Sequence, residues 1–340
     1  MAAATALLSG LRVLDLSIWR PGPYATSLLV ALGADVLKVE PPGGDPMRHY
    51  VGLFEAVNAG KRSVVLDLKG DAGRERALAL AEQADVVVEG FRPGVMARLG
   101  MNDAAVRALN PAIVYCSISG YGQEGDRAPL PGHDINYQAW AGALTPEGGT
   151  AVLPPLPSAD LAAGMTAAFG ICAAVIGRAA SGRGTYLDIS MTDVLATWTG
   201  SAGAGSASPP EAAATPGYGL FATADGGQVA LGVVNEQHFW DALCGELGLG
   251  ALAGLDFEER SRRGAALQQA VGASVATRER DQLVAGLAAA GVPVAPVLDR
   301  SGMLASAPFP TFPIRLPRPE AAPAVPALDQ HRGEGFCERP

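Results

Sequence analysis

Asp160 and His133 are the side chains in this sequence best placed to move a proton or attack a carbonyl carbon. Asp160 lies in Pro157-Ser158-Ala159-Asp160-Leu161, at the mouth of a long uncharged stretch, so its carboxylate is expected to be partly buried with no evident cation beside it. The first turn of a helix favours the ionised form of such a group, and a partly buried carboxylate is a candidate functional residue. Capping of that helix by Ser158 or Asp160 would alone explain both residues. His133 sits in Gly132-His133-Asp134-Ile135-Asn136-Tyr137, between a Gly- and Pro-containing loop and a helix. Imidazole titrates near neutral pH, although a lone histidine is more often structural.

A second set of residues offers cations and free backbone at the ends of strands. Arg20 lies in Trp19-Arg20-Pro21-Gly22-Pro23, directly after the first apolar run; Lys61 lies in Gly60-Lys61-Arg62-Ser63; Gly90, Phe91 and Arg92 lie in Glu89-Gly90-Phe91-Arg92-Pro93-Gly94, with Arg98 beyond. Ligands of open parallel sheets bind beyond the carboxyl ends of strands, and a helix opening near Pro23 would direct N–H groups at an anion. Arginine suits bidentate phosphate contact and Phe91 a purine face. An ordinary turn and solvated surface charge are the plainer readings. No GxGxxG follows the first strand, so this is not a dinucleotide fingerprint.

These residues must be positioned by alternating strands and helices. LRVLDL, ADVLKVE, SVVLDL (Ser63 to Leu68), DVVVE and AIVYCSIS are short apolar runs separated by helical patterns at 24–32, 71–83 and 102–109. Such runs indicate a parallel sheet covered on both faces. A long helix is expected from near Ser158 to Ser181-Gly182, then a strand over Thr185 to Met191. Residues 201–217, small and Pro-rich, read as a linker or a loop ordered by ligand. A hairpin over Gly219 to Val234 turning at 224–227, helices at 236–247, 257–275 and 280–290, and a strand over Val292 to Leu298 form a second region. The expected organisation is a large α/β domain over 1–200, a linker over 201–217, a smaller α+β domain over 218–300, and a C-terminal segment over 301–340 returning to the large domain.

With 340 residues, 49% hydrophobic, the chain can bury a large core. A net charge of -9 argues against a nucleic-acid or acidic-membrane partner. Cys116, Cys172, Cys244 and Cys337 show no metal spacing, and Cys116 and Cys172 read as core residues, which points to a reducing, cytoplasmic setting. No cleaved signal is expected at the N-terminus. The uncharged run Leu161 to Gly177 is Ala- and Gly-rich and short of a bilayer span, so it reads as a buried core helix.

In LSGLRVLDLS, PGPYATSLLVALGADVLKVEPPGGD, GKRSVVLDLK, DVVVEGFRPGVMARLG, LNPAIVYCSISGYGQ, GHDINYQAWAG and ASGRGTYLDISMTD, the chain resembles the family III CoA-transferase (CaiB/BaiF) superfamily, in motif nearest α-methylacyl-CoA racemase. The resemblance implies a Rossmann-like parallel-sheet large domain, a smaller α+β domain and an interlocked homodimer. It also implies an acyl group held between the large domain of one subunit and the small domain of the other. It maps CoA contacts onto Arg20, Lys61, Gly90, Phe91, Arg92 and Arg98, and the essential aspartate onto Asp160. Coenzyme A enters as part of the substrate, with no permanently bound cofactor or metal. GHDINY matches the racemases, which use the aspartate and a histidine as two bases, so His133 is the second base in the preferred reading. Two departures stand beside it: Asn235 occupies the place of a glutamate that supports the racemase histidine, with Glu236 adjacent, and no GGGG-like transferase loop follows residue 200. The alternatives are CoA transfer through an Asp160 acyl anhydride and an inactive acyl-CoA-binding protein.

Overall fold

The computed structural model describes residues 6–144, 151–201, 215–306 and 323–339. The chain forms two compact units, Met1–Ala204 with Phe312–Pro340, and Gly205–Thr311. In the first unit, strands β1 (Arg12–Asp15), β2 (Asp35–Glu40), β3 (Arg62–Val65), β4 (Val86–Glu89), β5 (Val114–Ser119) and β6 (Thr185–Ser190) form one parallel sheet in the order β3-β2-β1-β4-β5-β6. Its helices are α1 (Pro21–Ala31), α2 (Val51–Asn58), α3 (Asp71–Gln83), α4 (Val95–Arg98), α5 (Asp103–Leu109), α6 (Asp134–Trp140), α7 (Ser158–Ser181) and α8 (Met191–Ser201).

Strand side chains alternate between two cores, as the pleat requires. Val13, Val36, Val88 and Cys116 pack against α1 and α7, while Leu14, Leu37, Val87 and Tyr115 pack against α3 and α5. Val86, Val87 and Val88 are all fully buried, which is the signature of a strand covered on both faces. The parallel sheet covered on both faces that the apolar runs predict is therefore present.

Local boundaries differ from expectation in ways packing explains. The run expected to be a strand over Ser63 to Leu68 pairs only over Arg62–Val65. Met191 opens α8 instead of ending β6. Neither α2 nor α8 carries a strong helical pattern: one is VGLFEAVN, the other MTDVLATWTGS. Burial of Phe54 and Val57 beside Tyr24, and of Met191 and Leu195 in the first core, stabilises them instead. As a 24-residue helix, α7 is long and apolar enough by length and composition to cross a membrane, unlike the shorter uncharged run considered alone. One side of it, with Ala159, Ala163, Ala167 and Ile171, is packed into the first core of this α/β unit.

In the second unit, β7 (Tyr218–Ala222), β8 (Gln228–Gly232) and β9 (Val294–Pro296) form an antiparallel sheet. Helices α9 (Gln237–Glu246), α10 (Phe257–Arg262), α11 (Gly264–Val275), α12 (Arg280–Ala289) and α13 (Arg300–Ser306) complete it, around Trp240, Leu243, Val271 and Leu287. The single helix expected over 257–275 is broken at Arg263, whose backbone leaves the helical region. Of the proposed linker, 202–214 lie outside the described residues, as do 307–322 of the Pro-rich tail.

Within the C-terminal segment, Asp329 and His331 pair with the open edge of β3. The Ser63 N–H donates to His331 Nδ1 (3.1 Å), the His331 N–H returns to the Ser63 carbonyl (3.0 Å), and the Val65 N–H donates to Asp329 Oδ1 (2.8 Å). Cover of this kind removes the free backbone groups that make an edge strand sticky.

Candidate active site

β1 and β4 lie side by side where the strand order reverses, the place at which open α/β sheets bind ligands. The turn after β1 carries Trp19 and Arg20. Trp19 has φ 64°, a conformation that a bulky side chain adopts only under constraint. A buried ionic network supplies the constraint. Lys38 donates to the Ser17 carbonyl (2.8 Å) and pairs with Asp45 (2.9 Å), while the Ser17 hydroxyl and Thr26 hydroxyl both donate to Asp15. Burial would raise the Asp15 pKa, yet Lys61, Lys38 and the two hydroxyls hold it well below the usual carboxylate range.

Lys61 belongs to that network and not to an open rim. Its side chain is fully buried, and Nζ donates to Asp15 (3.0 Å), the Pro23 carbonyl (2.9 Å) and Asn58 Oδ1 (3.0 Å). An ammonium with three protein acceptors and no solvent contact offers nothing to a phosphate in this arrangement. Gly90, Arg92 and Arg98 do face solvent beyond β4. Phe91 is half-buried against the second core, so only part of its ring is open for stacking.

Asp160 occupies the first turn of α7 and is partly buried. It does not cap its helix, and Ser158 does not either, since its hydroxyl donates back to the Leu156 carbonyl. The cap comes from Asp134, whose Oδ1 accepts from the N–H groups of Ala159 (2.8 Å) and Asp160 (3.0 Å). Burial and the neighbouring Asp134 carboxylate push the Asp160 pKa up to about 7, against the opposing charge of Arg20. The expectations of a carboxylate held ionised by the helix dipole, and lacking a nearby cation, are both corrected here.

Gly164 explains how Arg20 comes near. It lies one turn beyond Asp160, and a Cβ there would stand 2.7 Å from the Pro21 carbonyl oxygen and 2.8 Å from the Tyr24 ring. Only glycine lets the start of α1 approach α7 so closely.

His133 is the exposed N-cap residue of α6, and its N–H donates to Asn136 Oδ1 (3.0 Å). Asp134, the next residue, reaches across to α7, so the segment bearing His133 is bonded directly to the turn bearing Asp160. Tyr137 braces the segment: its hydroxyl donates to the Gly132 carbonyl (2.6 Å) and its ring meets Tyr121 edge-on. Burial, Tyr121 and then Asp160 push the Tyr137 pKa up to about 12 while Arg92 opposes, which puts Arg92 within electrostatic reach of the same cluster. The capping of α7 by Asp134 is not visible to motif reading, because its partners lie 25 and 26 residues away.

In the second unit, the Asn235 carbonyl accepts from buried Arg260, and Glu236 Oε2 accepts from the Val234 N–H (3.2 Å). Among the described residues no group of His, Cys, Asp or Glu side chains is arranged to hold a metal ion.

The family model described as CoA-transferase family III matches residues 8–312. Acetyl-CoA:oxalate CoA-transferase of Acetobacter aceti is 35% identical over 318 residues, covering 85% of this chain and 80% of that protein. Alpha-methylacyl-CoA racemase of Homo sapiens is 34% identical over 259 residues, covering 71% of this chain and 65% of that protein. Among solved structures, a CAIB/BAIF family protein from Brucella suis superposes with a TM-score of 0.81 at 28% identity, covering 95% of this chain and 97% of the other.

Proposed function

This chain belongs to CoA-transferase family III, a family of enzymes acting on CoA thioesters, and from that premise we propose that it racemises or epimerises 2-methyl-branched acyl-CoA. The observation that carries this reading is the Asp134 bridge, which bonds the segment presenting His133 to the turn bearing the partly buried Asp160, whose pKa burial pushes up to about 7. A group that transfers protons works best when its pKa lies near the working pH.

In the proposed reaction the Asp160 carboxylate removes the proton α to the thioester carbonyl, and the C–H electron pair moves into an enolate. His133, as imidazolium, returns a proton to the opposite face of the same carbon. Asp160 then loses its proton and His133 regains one through water, which resets the pair. Arg20 eases ionisation of Asp160 before the proton is taken. Exposed Arg92 and Arg98, with the backbone at Gly90 and the open part of Phe91, are assigned to the nucleotide end of CoA. Lys61 is assigned to holding the Arg20 turn. Coenzyme A is substrate, not a resident cofactor. The proposed working form is a cytoplasmic homodimer without nucleic-acid or membrane partners.

Incubation of one epimer of a 2-methylacyl-CoA in deuterated water tests this. The expected result is α-deuterium incorporation and epimerisation with no acid acceptor present, with epimerisation lost in His133→Ala. Wild-type rates in that variant would reject the two-base reading. CoA transfer is the second reading, favoured by the 35% identity to the oxalate transferase. It requires Asp160 to attack the thioester carbonyl, expelling the CoA thiolate and leaving an acyl anhydride. Hydroxylamine would trap that adduct, and an untrappable enzyme would count against it.

A further inference from the structure

We infer that Glu89 is a positioning residue for CoA, its buried carboxylate tying down the Gly90–Phe91–Arg92 turn. The inference rests on the assignment of that turn to the nucleotide end of a CoA thioester. Glu89 ends β4 and is 3% exposed, and its Oε2 accepts the Phe91 N–H two residues on at 2.8 Å. The side chain therefore closes the turn from within, at the point where the sheet order reverses.

Strand alternation separates Glu89 from the reacting centre. Val88 faces the core shared with α7, whereas Val87, of the same parity as Glu89, faces the core shared with α3 and α5. Glu89 thus lies on the face away from Asp160 and can influence the reaction only through the turn. It walls a cavity of about 280 Å³ with Arg92, Asn102, Ser117, Gln123 and Tyr186, in which Gln123 Nε2 is buried without a hydrogen-bond partner.

The surroundings leave Glu89 poised between two states. Burial dominates and pushes its pKa up to about 7, with Asp188 on β6 adding to it; the Ser117 hydroxyl and the Phe91 N–H oppose. The other titratable groups near it are Tyr115 and Cys116 on β5, Tyr186 on β6, and Arg92 on the turn. Asp103 at the start of α5 is paired with Arg107, and Asp15 on the neighbouring β1 is paired with Lys61. An ionised carboxylate accepts an N–H bond about twice as strongly as a neutral acceptor. The turn is therefore held more firmly as the pH rises through 7.

Calorimetric titration with CoA itself, on the full chain from pH 6 to 8, tests this. Glu89→Gln keeps an acceptor of the same shape but cannot ionise. The ratio of its Kd to the wild-type Kd is expected to rise from near 1 at pH 6 to several-fold, roughly 3–10, at pH 8. Glu89→Ala, lacking any acceptor, is expected to bind CoA roughly tenfold more weakly at pH 8, with kcat at saturating thioester changed less than twofold. A ratio for Glu89→Gln that stays flat across the pH range overturns the inference, because a purely structural role would not titrate. Wild-type protein that binds no CoA at any pH refutes the underlying assignment instead. If Glu89→Ala does not fold, the Glu89→Gln series decides alone.

Discussion

Asp160 sits where the helix macrodipole would draw a carboxyl pKa down, yet its pKa stands at about 7. The magnitudes say why. A helix terminus contributes about 0.3–1 kcal/mol, less than the about 1.4 kcal/mol of a single tenfold change in proton affinity. Burial and the Asp134 charge exceed it together. The sign of each neighbour is then testable. Asp134→Asn removes an anion, so the acidic limb of the kcat/KM profile should move down by roughly one pH unit. Arg20→Met removes a cation, so the same limb should move up. Identical limbs in both variants would show that neither charge reaches Asp160. Asp160 and His133 stood out in the sequence as candidates because each lies in a compact local motif. Asp134 as the α7 cap and Lys61 as a buried counter-ion were not, because their partners come from 25 and 46 residues away. Spacing along a chain reports such pairs only when one helix or strand carries both.

The meeting of α1 with α7 is the element-level device that sets the site. Gly164 leaves room for the Pro21 carbonyl, and Arg20 follows from that contact. Two effects compete at this position. Replacing glycine with alanine inside a helix gains about 0.5–1 kcal/mol of intrinsic preference, whereas forcing a methyl into a packed contact costs about 1–3 kcal/mol. Because the clashing atom is backbone, packing should win. Gly164→Ala is expected to lower the Tm and reduce kcat together as α1 and Arg20 retreat. A more stable, fully active variant would show that the close approach is dispensable. The long helix itself was readable from its apolar run and its closing Gly182, which is left-handed at φ 66°. Helices α2 and α8 were not, since tertiary burial of Phe54, Val57, Met191 and Leu195 overrides their weak local preference.

At the scale of the whole molecule, a parallel sheet with its reversal between β1 and β4 brings the Arg20 turn and the Gly90–Arg92 turn to one end. That architecture was legible because strands buried on both faces leave continuous apolar runs such as Val86–Val88. The covering of β3 by residues 323–339 was much less so, because a Pro-rich tail has no periodicity and acts through single bonds. Arg12 to the Cys337 carbonyl, Arg62 to the Gly335 carbonyl and Arg48 to the Pro326 carbonyl are among them. Deleting residues 323–340 should bare the β3 edge, lowering the Tm by roughly 5–10 °C and promoting aggregation; an unchanged melting curve would mean the segment is not structural. The most direct test of the central claim is a crystal structure with a non-reacting thioether analogue of a 2-methylacyl-CoA. The expected geometry is an Asp160 carboxylate oxygen roughly 3–3.5 Å from the α-carbon, with His133 on the opposite face. A pantetheine arm ending elsewhere, with Asp160 turned toward protein alone, would contradict it.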